Sequence, residues 1–80
     1  MSTKYWRRYR AIGRNIAFYR KKAGLSQQEL ADMVNISKSY ISKIEAPNSV
    51  KSCSLEVLFD IADTLEVDIT LLLKSNARRK

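Results

Sequence analysis

The strongest constraint on this chain lies in residues 25–45, LSQQELADMVNISKSYISKIE, where two short helical patterns stand almost back to back. The first opens at Ser26 with Glu29 three residues later, the two halves of a capping box. Leu30, Met33 and Val34 follow at i, i+3 and i+4 and define its apolar face. The second opens at Ser37, another good N-cap, with Tyr40, Ile41 and Ile44 on its apolar side. Only Asn35 and Ile36 remain to make the corner, and Asn is the non-glycine residue best suited to left-handed backbone. Ala31 supplies a small side chain where two crossing helices would meet.

Helices this short do not hold alone in water, so both must pack on neighbours. The outward surface of the second is Lys38, Ser39, Ser42 and Lys43, with no carboxylate before Glu45. Short, hydrogen-bonding and cationic side chains suit the reading of base edges. The pattern predicts a helix-turn-helix whose second helix enters the DNA major groove.

A chain of 80 residues makes one domain with one small core. Hydrophobic content of 45%, with two Gly and one Pro, predicts a compact all-α protein rather than a disordered one. The lone Cys53 has no internal disulfide partner and there is no His, so neither a zinc set nor any other metal or cofactor is implied. Cys53 reads as a small packing residue in a reducing compartment. Residues 69–73 are too short an apolar run to span a bilayer, and the basic N-terminus is not followed by a signal-peptide core. A cytoplasmic protein with no membrane partner is expected.

Formal net charge is +7, and its distribution is polar along the chain. Before Glu29 stand Lys4, Arg7, Arg8, Arg10, Arg14, Arg20, Lys21 and Lys22 with no acid among them. Between Ser54 and Thr70 the sign reverses through Glu56, Asp60, Asp63, Glu66 and Asp68. A polyanion partner for the basic end is the simplest account, with Lys22 a phosphate contact; two merely solvated charged faces are the alternative.

The first helix carries its stripe at Tyr5, Tyr9, Ile12, Ile16 and Ala23, and is closed by Gly24 behind Arg20, Lys21 and Lys22. Gly13 inside it costs about 1 kcal/mol against Ala, which predicts a start near Tyr9. Arg20 continues the stripe of Ile12 and Ile16, and an arginine on a core edge needs a carboxylate. Glu45 is its counterpart, an acid at a helix C-terminus, where negative charge is disfavoured. The two are expected to pair; two exposed charges are the alternative. After the Pro47–Asn48 turn, Ser54 caps a fourth helix with Leu55, Leu58, Phe59, Ile61, Ala62 and Leu65 apolar. Asp68 caps a fifth over residues 69–74, with Ile69, Leu72 and Leu73 facing one way and Leu71 another. The domain plan is an extension at 1–8, a core at 9–74 and a basic tail at 75–80.

These residues resemble the phage repressor–Cro, or XRE-type, helix-turn-helix family. The resemblance covers about residues 9 to 74 through RKKAGLSQQELA, the VNIS corner, YISKIE and SLEVLFDIADTLEVDITLLL. It implies a compact five-helix, lambda-repressor-like DNA-binding domain. Gln27 is similar to the family glutamine that contacts a phosphate at the helix N-terminus. Lys38, Ser39, Ser42 and Lys43 match positions facing base edges, and Ser37 and Tyr40 positions touching the sugar–phosphate backbone. Arg20 and Glu45 match a buried ion pair. Ala46–Pro47 stands where the family has a glycine loop, and the loop is about two residues longer; by resemblance Asn48, Ser49 and Lys51 contact phosphate. The Tyr5–Arg8 extension lies outside the motif and either lengthens the first helix or acts as a minor-groove arm.

The function expected is sequence-specific transcriptional regulation, as a homodimer on a palindromic operator. Val67, Ile69, Leu71, Leu72 and Leu73 are the candidate dimer surface, unless those residues only finish the monomer core. A second possibility is an antitoxin whose main partner is a small toxin protein. Membrane-surface binding by the basic aromatic N-terminus ranks third. An enzyme ranks last, because no His, paired acid or Gly-rich phosphate loop is present.

Overall fold

The first helix begins earlier than Gly13 suggests. In the computed structural model, which describes residues 3–47 and 53–75, α1 runs Trp6–Lys22. It passes without a break through the start expected near Tyr9, so the N-terminal extension is helical from Trp6 onward. Gly13 sits inside the helix because a Cβ there would collide with the backbone carbonyl oxygen of Ile44. Glycine's weak helix propensity is offset by letting two backbones touch.

Among the described residues four further helices follow: α2 (Gln27–Val34), α3 (Lys38–Glu45), α4 (Leu55–Leu65) and α5 (Ile69–Leu73). Their starts are set locally. Ser26 Oγ accepts from Glu29 N–H at 3.0 Å while Glu29 Oε1 accepts from Ser26 N–H at 2.8 Å, completing the capping box. Ser37, Ser54 and Asp68 cap α3, α4 and α5 by accepting from the N–H groups of Tyr40, Val57 and Thr70. Each such cap contributes about 1 kcal/mol. The Thr70 N–H and hydroxyl together hold the Asp68 carboxyl below the usual carboxylate range.

Three helices end through the same left-handed closure, at Gly24 (φ 78), Asn35 (φ 61) and Glu66 (φ 59). The N–H of the following residue reaches back each time, from Leu25 to Arg20 O, from Ile36 to Ala31 O and from Val67 to Ala62 O, at 3.0–3.1 Å. Gly24 and Asn35 suit this backbone. Glu66 does not, and its left-handed turn costs roughly 1–2 kcal/mol; the turn places Val67 against the core.

The core takes a large, fully buried side chain from each of these helices: Ile16, Leu30, Ile41, Ile61 and Leu72. Burying each contributes about 1.5–3 kcal/mol. Ala31, fully buried, and Ala11 and Ala62 provide close contacts between helices. Several expected core positions face outward instead. Met33 is 59% exposed, Leu55 62% and Phe59 51%. The buried face of α2 is centred on Leu30, Ala31 and Val34. That of α4 is Leu58, Ile61, Ala62 and Leu65, which leaves Leu55 and Phe59 on its edge. Tyr5 and Ala23 of the α1 stripe are likewise exposed; Ala11, Asn15 and Ile16 carry the burial.

Helix α5 also departs from expectation. Leu72 is fully buried and belongs to the monomer core, so it is removed from the candidate dimer surface. Leu73, expected beside it, is 45% exposed. Asn15 explains how a helix this short stays in place: its Nδ2 donates to Leu72 O at 2.9 Å and to Lys74 O at 2.6 Å. Those carbonyls at the end of α5 would otherwise lack partners. Among the described residues, no helix is long and apolar enough to cross a membrane, and no acidic, His or Cys cluster could hold a metal ion.

Candidate nucleic-acid interface

Two turns of α3 carry the exposed polar surface expected of a reading helix. Ile41 and Ile44 are buried and Tyr40 is half-buried against the core, which fixes the helix rotation. That rotation leaves Lys38, Ser39, Ser42 and Lys43 exposed together. Ser37, exposed and at the N-cap, stands at the same end as Lys38. An α-helix with its side chains is about 10–12 Å across, which a B-DNA major groove about 12 Å wide admits.

The far end of α3 is held by charge. Arg20 Nε donates to Glu45 Oε2 at 2.8 Å and Nη2 donates to Oε1 at 2.9 Å, a bidentate pair. The two side chains are only 8% and 5% exposed. Arg20 Nη1 also donates to Leu25 O at 2.6 Å, so one guanidinium joins the end of α1, the entry to α2 and the end of α3. The hydrogen bonds to Glu45 raise the Arg20 pKa above its ordinary value, with burial opposing and the Glu45 charge adding to the rise. Arg20 therefore stays charged throughout the working pH range.

Gln27, the first residue of α2, has a partner the sequence did not indicate. Its Nε2 donates to Glu45 Oε1 at 2.9 Å, making it the third member of the clasp. The signal for this contact is tertiary: Gln27 and Glu45 meet only once α2 and α3 are folded against each other. Ser26 accepts from the N–H groups of Glu29 and Leu30, and the N–H groups of Gln27 and Gln28 before them lie in the first turn, where no intrahelical acceptor exists. Lys22 is exposed at the end of α1, its ammonium 5.9 Å from the Phe18 ring centre. Asn48, Ser49 and Lys51 lie outside the described residues.

Helices α2 and α3, joined by the Asn35–Ile36 corner, thus form a helix-turn-helix packed on the other described helices with the polar side of its second helix uncovered. The chain belongs to the XRE-type helix-turn-helix family, whose match spans residues 16–72. It is similar to the HTH-type transcriptional regulator SlrR of Bacillus subtilis (strain 168), 44% identical over 61 residues, covering 76% of this chain and 40% of SlrR. SinR of the same organism, also an HTH-type transcriptional regulator, is 39% identical over 62 residues, covering 78% of this chain and 55% of SinR. The chain therefore spans about half the length of these relatives or less. A crystal structure of SinR, the master regulator for biofilm formation, in complex with DNA matches with a TM-score of 0.72 at 38% identity, over 79% of this chain and 98% of that one.

Proposed function

We propose that this chain is a sequence-specific double-stranded DNA-binding transcriptional regulator of the cytoplasm, not an enzyme. Helix α3 enters the major groove, and Lys38, Ser39, Ser42 and Lys43 face the base edges. The observation that carries this reading is the acid-free exposed face of α3, held at its far end by the Arg20–Glu45 pair. Phosphate contacts come from Gln27, Ser37, Tyr40 and Lys22, and from Asn48, Ser49 and Lys51 further along the chain. The kinship with SlrR and SinR supports the class of function.

Selection of bound sequences from a random DNA pool tests the proposal directly. Recovery of a common motif is expected; a pool that stays random after repeated selection would overturn it. Lys38→Ala should then reduce discrimination at one position of the motif by about 1–3 kcal/mol. Lys22→Ala should weaken selected and random duplexes alike and lower the log–log salt slope by about 0.9. Equal loss on both duplexes from both variants would refute the assignment of readers and anchors.

The regulator acts as a homodimer on a palindromic operator, with its two α3 helices about 34 Å apart. The α5 end supplies the contact through Val67, Ile69, Leu71 and Leu73. Leu73 is exposed, and Leu71 lines a surface cleft with Phe18 and Tyr19. Sedimentation at high micromolar concentration should show a dimer that Leu71→Asp converts to monomer. A wild-type monomer under those conditions would remove this part of the proposal.

A further inference from the structure

One flank of α1 carries more positive charge than the reading helix needs. Arg7, Arg14 and Lys21 are spaced by seven residues, and seven residues return to within about 20° of the same helix face. They form a row about 21 Å long at 1.5 Å per residue, and Arg10 lies beside it, one turn from both Arg7 and Arg14. Two surface clefts follow this row. One is lined by Trp6, Arg7, Arg10 and Arg14. The other shares Arg10 and Arg14 and continues past Ala17 and Lys21 to Ala46 and Pro47. The row thus ends beside the residues where α3 stops.

We propose that this flank of α1, with the Ala46–Pro47 turn, is a second nucleic-acid contact: a track for the sugar–phosphate backbone of the duplex whose bases α3 reads. The proposal rests on the DNA-binding reading above and adds a surface to it. Among the described residues none of the four cations is in an ion pair. The carboxylate at the cleft edge, Glu45, is already engaged by Arg20 and Gln27. The Arg7 guanidinium lies 4.7 Å from the Trp6 ring centre and that of Arg10 lies 5.6 Å from it. A guanidinium held over an aromatic ring keeps N–H donors that can serve phosphate oxygens. The cleft floor at Ala17, Ala46 and Pro47 is small and apolar, which suits the face of a deoxyribose. An anionic membrane would need large apolar side chains along the row, and Trp6 is the only one lining these two clefts.

Trp6 is the sole tryptophan of the chain, so its emission reports this flank alone. A dye-labelled duplex carrying the selected motif would be titrated with the full chain, reading duplex anisotropy and Trp6 emission together. Trp6 emission is expected to change in step with anisotropy. Arg10→Gln/Arg14→Gln should lower the log–log salt slope by about 1.8, two phosphates at roughly 0.9 each. It should weaken selected and random duplexes by one common factor and leave the preferred motif unchanged. Arg14→Gln/Lys21→Gln, both at exposed positions, gives a second pair with the same expectation should the first fold poorly. Binding by anisotropy with Trp6 emission and salt slope unchanged would overturn the track while leaving the reading helix intact. A Trp6 response to anionic vesicles but not to duplex would assign the flank to membranes instead. No anisotropy change with any duplex would overturn both proposals.

Discussion

Glu45→Ala is expected to destabilise the domain by about 3–5 kcal/mol, the usual consequence of removing one partner of a buried ion pair. The geometry places it in that range. The Glu45 side chain is 5% exposed and accepts two hydrogen bonds from Arg20 and one from Gln27. Alanine leaves a guanidinium that is nearly as buried with only the Leu25 carbonyl as partner. A domain of this size has a total stability of roughly 4–12 kcal/mol, so the loss is a large fraction of the whole and would unfold the variant at the lower end of that range. Arg20→Met/Glu45→Met removes both charges, and its loss should be well short of the sum of the two single changes. Chemical denaturation of the four proteins in the cycle measures the coupling. Additive losses would show that the pair contributes nothing as a pair.

Gly13→Ala should destabilise the fold by about 1–3 kcal/mol through overpacking, lowering the thermal midpoint by roughly 4–8 °C per kcal/mol. The sign is the informative part. At an ordinary helix position the same change stabilises by about 1 kcal/mol. At Gly13 the new methyl would meet the Ile44 carbonyl, part of the backbone of α3, and backbone cannot rotate away as a side chain can. Helix α1 must therefore move off α3, which also loosens the Arg20–Glu45 clasp about two turns further along α1. Thermal unfolding followed by circular dichroism decides the matter, and a midpoint equal to or above wild type would contradict the close approach.

The two positions differ in how far the sequence exposes them. Arg20 and Glu45 are visible as a pair of misfits, each in a place its charge should avoid, so complementarity can be inferred before any fold is known. Gly13 carries no such mark. A glycine in a helix reads as a weakness, and only the helix crossing above it turns the weakness into a requirement.

The same division runs through the molecule. Helix starts at Ser26, Ser37, Ser54 and Asp68, and the reversals at Gly24 and Asn35, depend on hydrogen bonds and torsions within a few residues. They can be read from the chain alone, as can the exposed Lys38, Ser39, Ser42 and Lys43, whose face is the complement of Ile41 and Ile44. Membership of the core depends on what lies across from a residue. Met33, Leu55 and Phe59 match the apolar stripes yet stand outside, while Leu72 is taken into the core from a helix that looked free to meet a second copy. Gln27 has a side chain fit for a phosphate, but its bond to Glu45 exists only because α2 and α3 fold against each other. The Arg7–Lys21 row is likewise periodic in sequence, but its place beside the end of α3 follows from the crossing at Gly13. Local chemistry is short in range and so is written in consecutive residues. Burial, clasp and cleft are made by residues distant in the chain, and packing alone brings them together.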